Sequence, residues 1–309
     1  MAFYSPDPAM GQTLADLVRA LELDGRPGLG ERLSITWLRY EQSQLERAAQ
    51  LEASSYWALP CSGTSWHGST QRYPASVVKL VYLVAAEAWL QRDRIADDPE
   101  LRRALAAMVQ HSSNNATEHV VDRLSGTTGG PVLDSAAMAL WREQRQLVNR
   151  WLASLGWPEF EGSNACQKTW DDGPYGRERE FYGADNANIN RLSSDAVARL
   201  LQGVMASALV SPPACGRMRQ LLARSLDVAA RRADPENQVD GFLGAALPEG
   251  ARLWSKAGWM SRARHDAAYF EIEGYQPTLL VVMSEGALCA RDETLLPEIG
   301  AALLQASRL

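Results

Sequence analysis

The chain has 309 residues, 46% hydrophobic and 22% charged, a balance that supports a buried core and excludes an intrinsically disordered chain. Its net charge is −6 and no basic stripe stands out, since Arg231-Arg232 and Arg262 to Arg264 are small solvated clusters; this argues against nucleic acid and acidic membrane surfaces as partners. Cys61, Cys166, Cys215 and Cys289 form no Cys-x-x-Cys and read as free thiols. His67, His111, His119 and His265 lack metal-site spacing. The start of the chain has neither a basic leader nor an apolar core, and the longest apolar run, interrupted by Glu87, is too short to cross a bilayer. A cytoplasmic, membrane-free protein is the expectation.

Taken in chain order, leucines at 14, 17, 21 and 23 predict a helix over 11–23, ended by Asp24-Gly25-Arg26-Pro27. A strand follows over 32–40. Residues 42–55 read as helical, and 61–69 as turns with one short strand. Pro74 then opens a buried helix through 77–90. Further helices are expected over 98–109, 115–124, 138–155 and 194–206. Between the last two lies a segment, 156–191, rich in Gly, Asn, Asp and aromatic residues; a connection this long in a compact domain is usually functional. One more helix is expected over 220–231. The chain closes with three strands over 251–258, 266–273 and 278–284 and a helix over 293–309. Ala268, Phe270 and Ile272 alternate with polar neighbours as in a half-buried antiparallel strand. The fold class is α/β of the α+β kind: a sheet lobe from 1–62 and 235–309 with an all-helical lobe, 63–234, inserted between its halves.

Three short motifs carry chemistry. In Ser76-Val77-Val78-Lys79 the serine and lysine share one helix face, so a lysine of depressed pKa can take the serine proton. Ser113-Asn114-Asn115 lies between two helices. The Ser113 hydroxyl can carry a proton to a leaving group, and the Asn115 amide can donate to a substrate carbonyl. Lys256-Ala257-Gly258 lies on the first C-terminal strand. Lys256 supplies positive charge, and the backbone N–H of Trp259, after Gly258, can pair with that of Ser76 as an oxyanion hole.

With these motifs the sequence resembles the penicillin-recognising serine hydrolases, particularly the class A β-lactamase-like branch, whose signatures are Ser-x-x-Lys, Ser-Asp-Asn and Lys-Thr-Gly. The resemblance runs from about residue 34 to the C-terminus. It implies a five-stranded antiparallel sheet flanked by helices, an all-helical lobe, and a site in the cleft between them. It implies Ser76 as acylated nucleophile, Lys79 as base, Ser113 as proton shuttle, Asn115 as substrate-amide binder and Lys256 as electrostatic anchor, with no metal and no organic cofactor. The substrate is then a small molecule or peptide with an amide or ester bond. Three departures accompany it. Ser113 follows Ser76 more closely than in typical β-lactamases, so the cleft should be wide. Ala257 replaces a hydroxyl residue that binds a substrate carboxylate, for which Ser255, Ser261, Arg262 or Arg264 can compensate. The family's Ω-loop pattern Glu-x-x-Leu-Asn is missing. Glu178 and Glu180 stand at about the right place for its deacylating glutamate, with Asn186 or Asn188 to assist. A catalytically silent binder and a serine-dependent glutaminase are the alternative readings.

Overall fold

The computed structural model describes residues 3–59 and 61–309; Met1 and Ala2, part of the segment read above for a leader, and Pro60 lie outside the described residues. Among the described residues seven strands form one sheet: β1 (Ser5–Pro6), β2 (Leu33–Arg39), β3 (Ser62–Trp66), β4 (Ala223–Arg224), β5 (Arg252–Met260), β6 (Ala263–Glu271) and β7 (Thr278–Glu285). Their order is β1-β3-β2-β7-β6-β5-β4, antiparallel except for the β1–β3 pair. The expected count was five. The two additional strands are two-residue ladders at the edges, too short to leave an alternating pattern in sequence. β3 and β4 also draw the sheet into the 63–234 stretch.

Helices cover both faces of the sheet. Met10, Leu14, Val18 and Leu21 of the helix Pro8–Leu23 pack on one face with Leu295, Leu296, Ile299 and Leu303 of the helix Leu295–Gln305. The helix Ser194–Met205 lies on the other, against β2, β6 and β7, with the helix Val78–Gln91 beside it. This double cover corrects the half-buried reading of the 266–273 strand: β6 is buried at every position, and His265, Asp266 and Glu271 are inside with the alanines.

Several helix boundaries also differ. The 138–155 pattern is two helices, Ser135–Arg145 and Leu147–Ser154, broken at Gln146. The expected 220–231 helix is replaced by Pro212–Leu222, capped by Ser211 and opened by two prolines, then β4 and a short helix Val228–Ala233. Residues 42–55 form two short helices, Gln44–Ala48 and Ala53–Tyr56. The long 156–191 segment is closed at its neck by Asn164 and Arg191, whose backbone groups exchange two hydrogen bonds of 2.8 Å. Inside it the Asn190 side chain accepts from the N–H groups of Cys166 and Gln167 and donates to the Gln167 carbonyl. The four cysteines are buried free thiols.

Candidate active site

The helix Val78–Gln91 is buried on all sides from Val78 to Trp89, Lys79 and Glu87 included, as a helix apolar nearly all round requires. It is entered through a 3₁₀ turn, Ala75–Val77, that carries Ser76. Ala75 has φ 45°, a left-handed conformation that costs a residue with a Cβ about 1 kcal/mol. Such strain persists where the surroundings impose it, and here they do. Arg72 is bonded to Glu285 on β7, to Ser34 on β2 and to the carbonyls of Glu31 and Leu33. Tyr73 is held at its carbonyl by the His265 ring, 2.8 Å away. The other ring nitrogen of His265 accepts from the Ser284 N–H, so Nε2 is the protonated nitrogen. Burial lowers the pKa of this imidazole to about 4, and it serves as a neutral strut beneath the Ser76 turn.

Lys79 is fully buried, and its Nζ bonds the Ser112 carbonyl, the Ser112 hydroxyl at 3.2 Å and Asn114 Oδ1 at 2.8 Å. Burial lowers its pKa to about 7, against the opposing attraction of Asp171. Lys256 on β5 is equally buried. Its Nζ contacts the Ala257 carbonyl at 2.7 Å, Ser112 Oγ at 3.1 Å and Gln238 Oε1. Burial, and then the charge of Lys79, hold its amine well below the usual lysine range. The Ser112 hydroxyl thus bridges two amines with a single proton, and can donate to only one of them at a time.

Ser112 holds this place because the chain turns there between two helices. The helix Pro99–Gln110 ends with His111 as its cap, Ser112 takes a left-handed φ of 55°, and Ser113 caps the helix Asn114–Ser125. The Ser113 hydroxyl accepts from the Ala116 N–H and its own N–H bonds the Ala107 carbonyl. Ser113, expected as the shuttle, is therefore occupied by helix capping, and Ser112 stands between the lysines. The asparagine shifts by the same single residue. Asn114 reaches Lys79, whereas Asn115 is exposed and lines a neighbouring concavity.

Ser76, Ser112, Asn114, Ala257, Gly258 and Trp259 line one cleft of about 390 Å³. Gly258 passes so close to the serine turn that a Cβ there would lie 2.9 Å from the backbone nitrogens of Ser76 and Val77. Two residues that the sequence reading missed hold this side together. Gln238 donates to the Val109 and Gln110 carbonyls while its oxygen receives Lys256 and the Ala257 N–H. Arg224 joins the same helix end to the Ser255 carbonyl.

The sequence model of the β-lactamase enzyme family matches residues 62–307, a span that contains all three motifs. The chain belongs to that family. Similar solved structures include a mutant of PBP-A in acyl-enzyme complex with penicillin G (16% identity, covering 99% of this chain and 98% of that one, TM-score 0.63). They also include a β-lactamase from Sphaerobacter thermophilus (17%, 96% and 97%, TM-score 0.62) and an ancestral class A β-lactamase (17%, 96% and 98%, TM-score 0.59). At these identities the likeness is one of fold. No curated protein matches the chain. The family gives a β-lactamase-like serine hydrolase as the functional class.

Against that family's pattern, neither expected glutamate lines the cleft. Glu178 is buried against Arg145 (2.6 Å) and Lys168 (3.3 Å), and Glu180 is an exposed partner of Arg142 (3.0 Å). Asn188 donates to the Phe181 carbonyl and Asn186 takes a left-handed turn, so the loop is fastened by Asn190 instead. Glu236, Asp240 and Glu293 line the cleft; the carboxylate bonded to Asn114 is Asp171, in the wall of the neighbouring concavity, whose Oδ1 receives Asn114 Nδ2 at 2.6 Å. Its only sequence signal was Trp170-Asp171-Asp172 early in the long loop, where a search for glutamate passes over it. Of the candidates to replace the lost hydroxyl at Ala257, Arg264 lines the cleft, but it is engaged with the Ala290 and Gly241 carbonyls and Glu293. Ser255 is wholly buried, and Ser261 and Arg262 are exposed. Among the described residues no helix is long and apolar enough to cross a membrane.

Proposed function

We propose that this protein cleaves an amide or ester bond through an acyl-enzyme on Ser76. The observation that carries the reading is the chain of contacts Asn114–Lys79–Ser112–Lys256 around the cleft onto which Ser76 opens. Neutral Lys79 takes the Ser76 proton as Oγ attacks the substrate carbonyl. The backbone N–H groups of Ser76 and Trp259 receive the developing oxyanion. The C–N or C–O bond then breaks as the Ser112 hydroxyl gives its proton to the leaving atom and recovers one from protonated Lys79. For deacylation Asp171, steadied by Asn114, takes a proton from water. The water oxygen attacks the ester, and Ser76 leaves with the proton that Asp171 collected, relayed through Lys79. No metal or organic cofactor enters these steps.

Ala257 and the capture of Glu178 and Glu180 in ion pairs favour a second reading, a member of the fold that binds without turnover. One experiment separates the two. A fluorescent penicillin and a fluorophosphonate, each followed by intact mass, should add one label to the wild type and none to Ser76→Ala. If the wild type stays unlabelled by both probes, the silent binder stands.

A further inference from the structure

Beside the Ser76 cleft lies a second concavity of about 370 Å³. The two share a wall: Asn114 lines the first, its neighbour Asn115 the second, and Asp171 joins them through its bond to Asn114. Glu118, Asp171 and Asp172 present carboxylates to the second space, and Trp170 and the exposed Tyr175 present rings. Acidic and aromatic groups together are the usual surroundings of an organic cation.

The charges beneath do not balance. Asp122 and Glu178 share Lys168 and Arg145, so with Glu118, Asp171 and Asp172 five carboxylates stand against three cations, Arg177 included. Arg177 is at the rim near Gly130, with its Nε donating to the Pro131 carbonyl. The Glu178 side chain is 4% exposed and lines the concavity; its Oε1 takes both Arg145 and Lys168, while its Oε2 has no hydrogen-bond partner among the described residues. Burial raises the carboxyl pKa values of Glu118 and Asp122, with neighbouring carboxylates adding to the shift. Arg145 Nη1 is likewise without a hydrogen-bond partner among the described residues, yet the carboxylates around this space still outnumber the cations.

We propose that this concavity is a subsite for an ammonium or guanidinium group on the acyl part of the substrate. The inference rests on the reading of Ser76 as the nucleophile. The leaving group departs where Ser112 can protonate it, between the two lysines. What remains attached to Ser76 lies toward Asn114 and Asp171, next to the acidic space.

Two measurements test it. The first compares acylation of the wild type by the p-nitrophenyl ester of 6-aminohexanoate with that by the neutral heptanoate ester. The cationic ester should have a kcat/KM about tenfold higher, the size expected of a partly screened ion pair with a ring beside it. The double variant Glu118→Gln, Asp172→Asn should lose that preference while keeping its rate on the neutral ester. Equal rates in the wild type, or a preference that survives the double variant, would overturn the subsite. The second is calorimetry on Ser76→Ala with n-pentylammonium against pentan-1-ol. Binding of the ammonium alone, lost in the same two substitutions, supports the subsite even if neither ester acylates the wild type, an outcome that would count against the nucleophile alone. Indistinguishable heats for the amine and the alcohol would overturn it.

Discussion

Replacing Ser112 and Ser113 one at a time gives the sharpest test of the site. In Ser112→Gly the hydroxyl between the lysines disappears, and glycine accepts the left-handed φ of 55° without the strain that alanine would add there. Lys79 keeps the residue-112 carbonyl and Asn114, and Lys256 keeps Gln238 and the Ala257 carbonyl. The amines therefore remain in place and the proton carrier is what goes. Loss of a positioned proton carrier lowers rates by about 10²–10⁴-fold, or roughly 3–5 kcal/mol at 1.36 kcal/mol per decade. In Ser113→Ala the lost contact is a helix cap, worth about 1 kcal/mol and a fall in Tm of roughly 2–4 °C, with acylation close to wild type. Stopped-flow acylation by a fluorescent penicillin or a fluorophosphonate, beside thermal melts of both variants, reads the two effects separately. If Ser113→Ala lost a hundredfold in acylation while Ser112→Gly kept its rate, the assignment of the shuttle to Ser112 would be refuted.

The pH dependence follows from Lys79. Its pKa in the fold is lowered to about 7 and its base form is the neutral amine, so the acylation rate should rise about tenfold per pH unit below that value and level off above it; a flat profile from pH 5 to 8 would exclude Lys79 as the base. Asp171→Asn should acylate normally and then accumulate acyl-enzyme, seen by mass as a persistent adduct, whereas Glu178→Gln should leave the adduct's lifetime unchanged. Gly258→Ala should drive a Cβ into the backbone of the Ser76 turn, 2.9 Å from two nitrogens, and cost at least tenfold in acylation because even 1 Å of misplacement matters at a reacting centre; an unaffected rate would mean that the turn moves freely.

The Ser-x-x-Lys spacing located the turn that carries Ser76 and the buried Lys79 that follows it, and Lys-x-Gly on an expected strand located Lys256 and the close-packed Gly258. The second motif was legible only to within one residue. Both 112–114 and 113–115 read Ser-x-Asn, and what separates them is which serine caps the following helix, a matter of where the preceding helix ends. Gln238 and Arg224 left no signal, since their work is to bond backbone carbonyls of a helix end far away in the chain. Asp171, the base in the proposed deacylation, was passed over because glutamate was the template. The outer strands were hidden by their length. The polar residues of β6 misled because alternation normally means one wet face, and here helices close both.

The long loop that holds Asp171 is fastened at its neck by Asn164 and Arg191 and stiffened inside by Asn190, and its hydrogen-bonded link toward Lys79 runs through Asn114. In the proposed mechanism the groups that attach the acyl chain and the carboxylate that starts its release thus sit on separate pieces of the chain, with Lys79 serving both. Changes within the loop can lengthen or shorten the residence of a bound acyl group while its arrival stays at the same speed, so a trap and a turnover catalyst lie only a few substitutions apart.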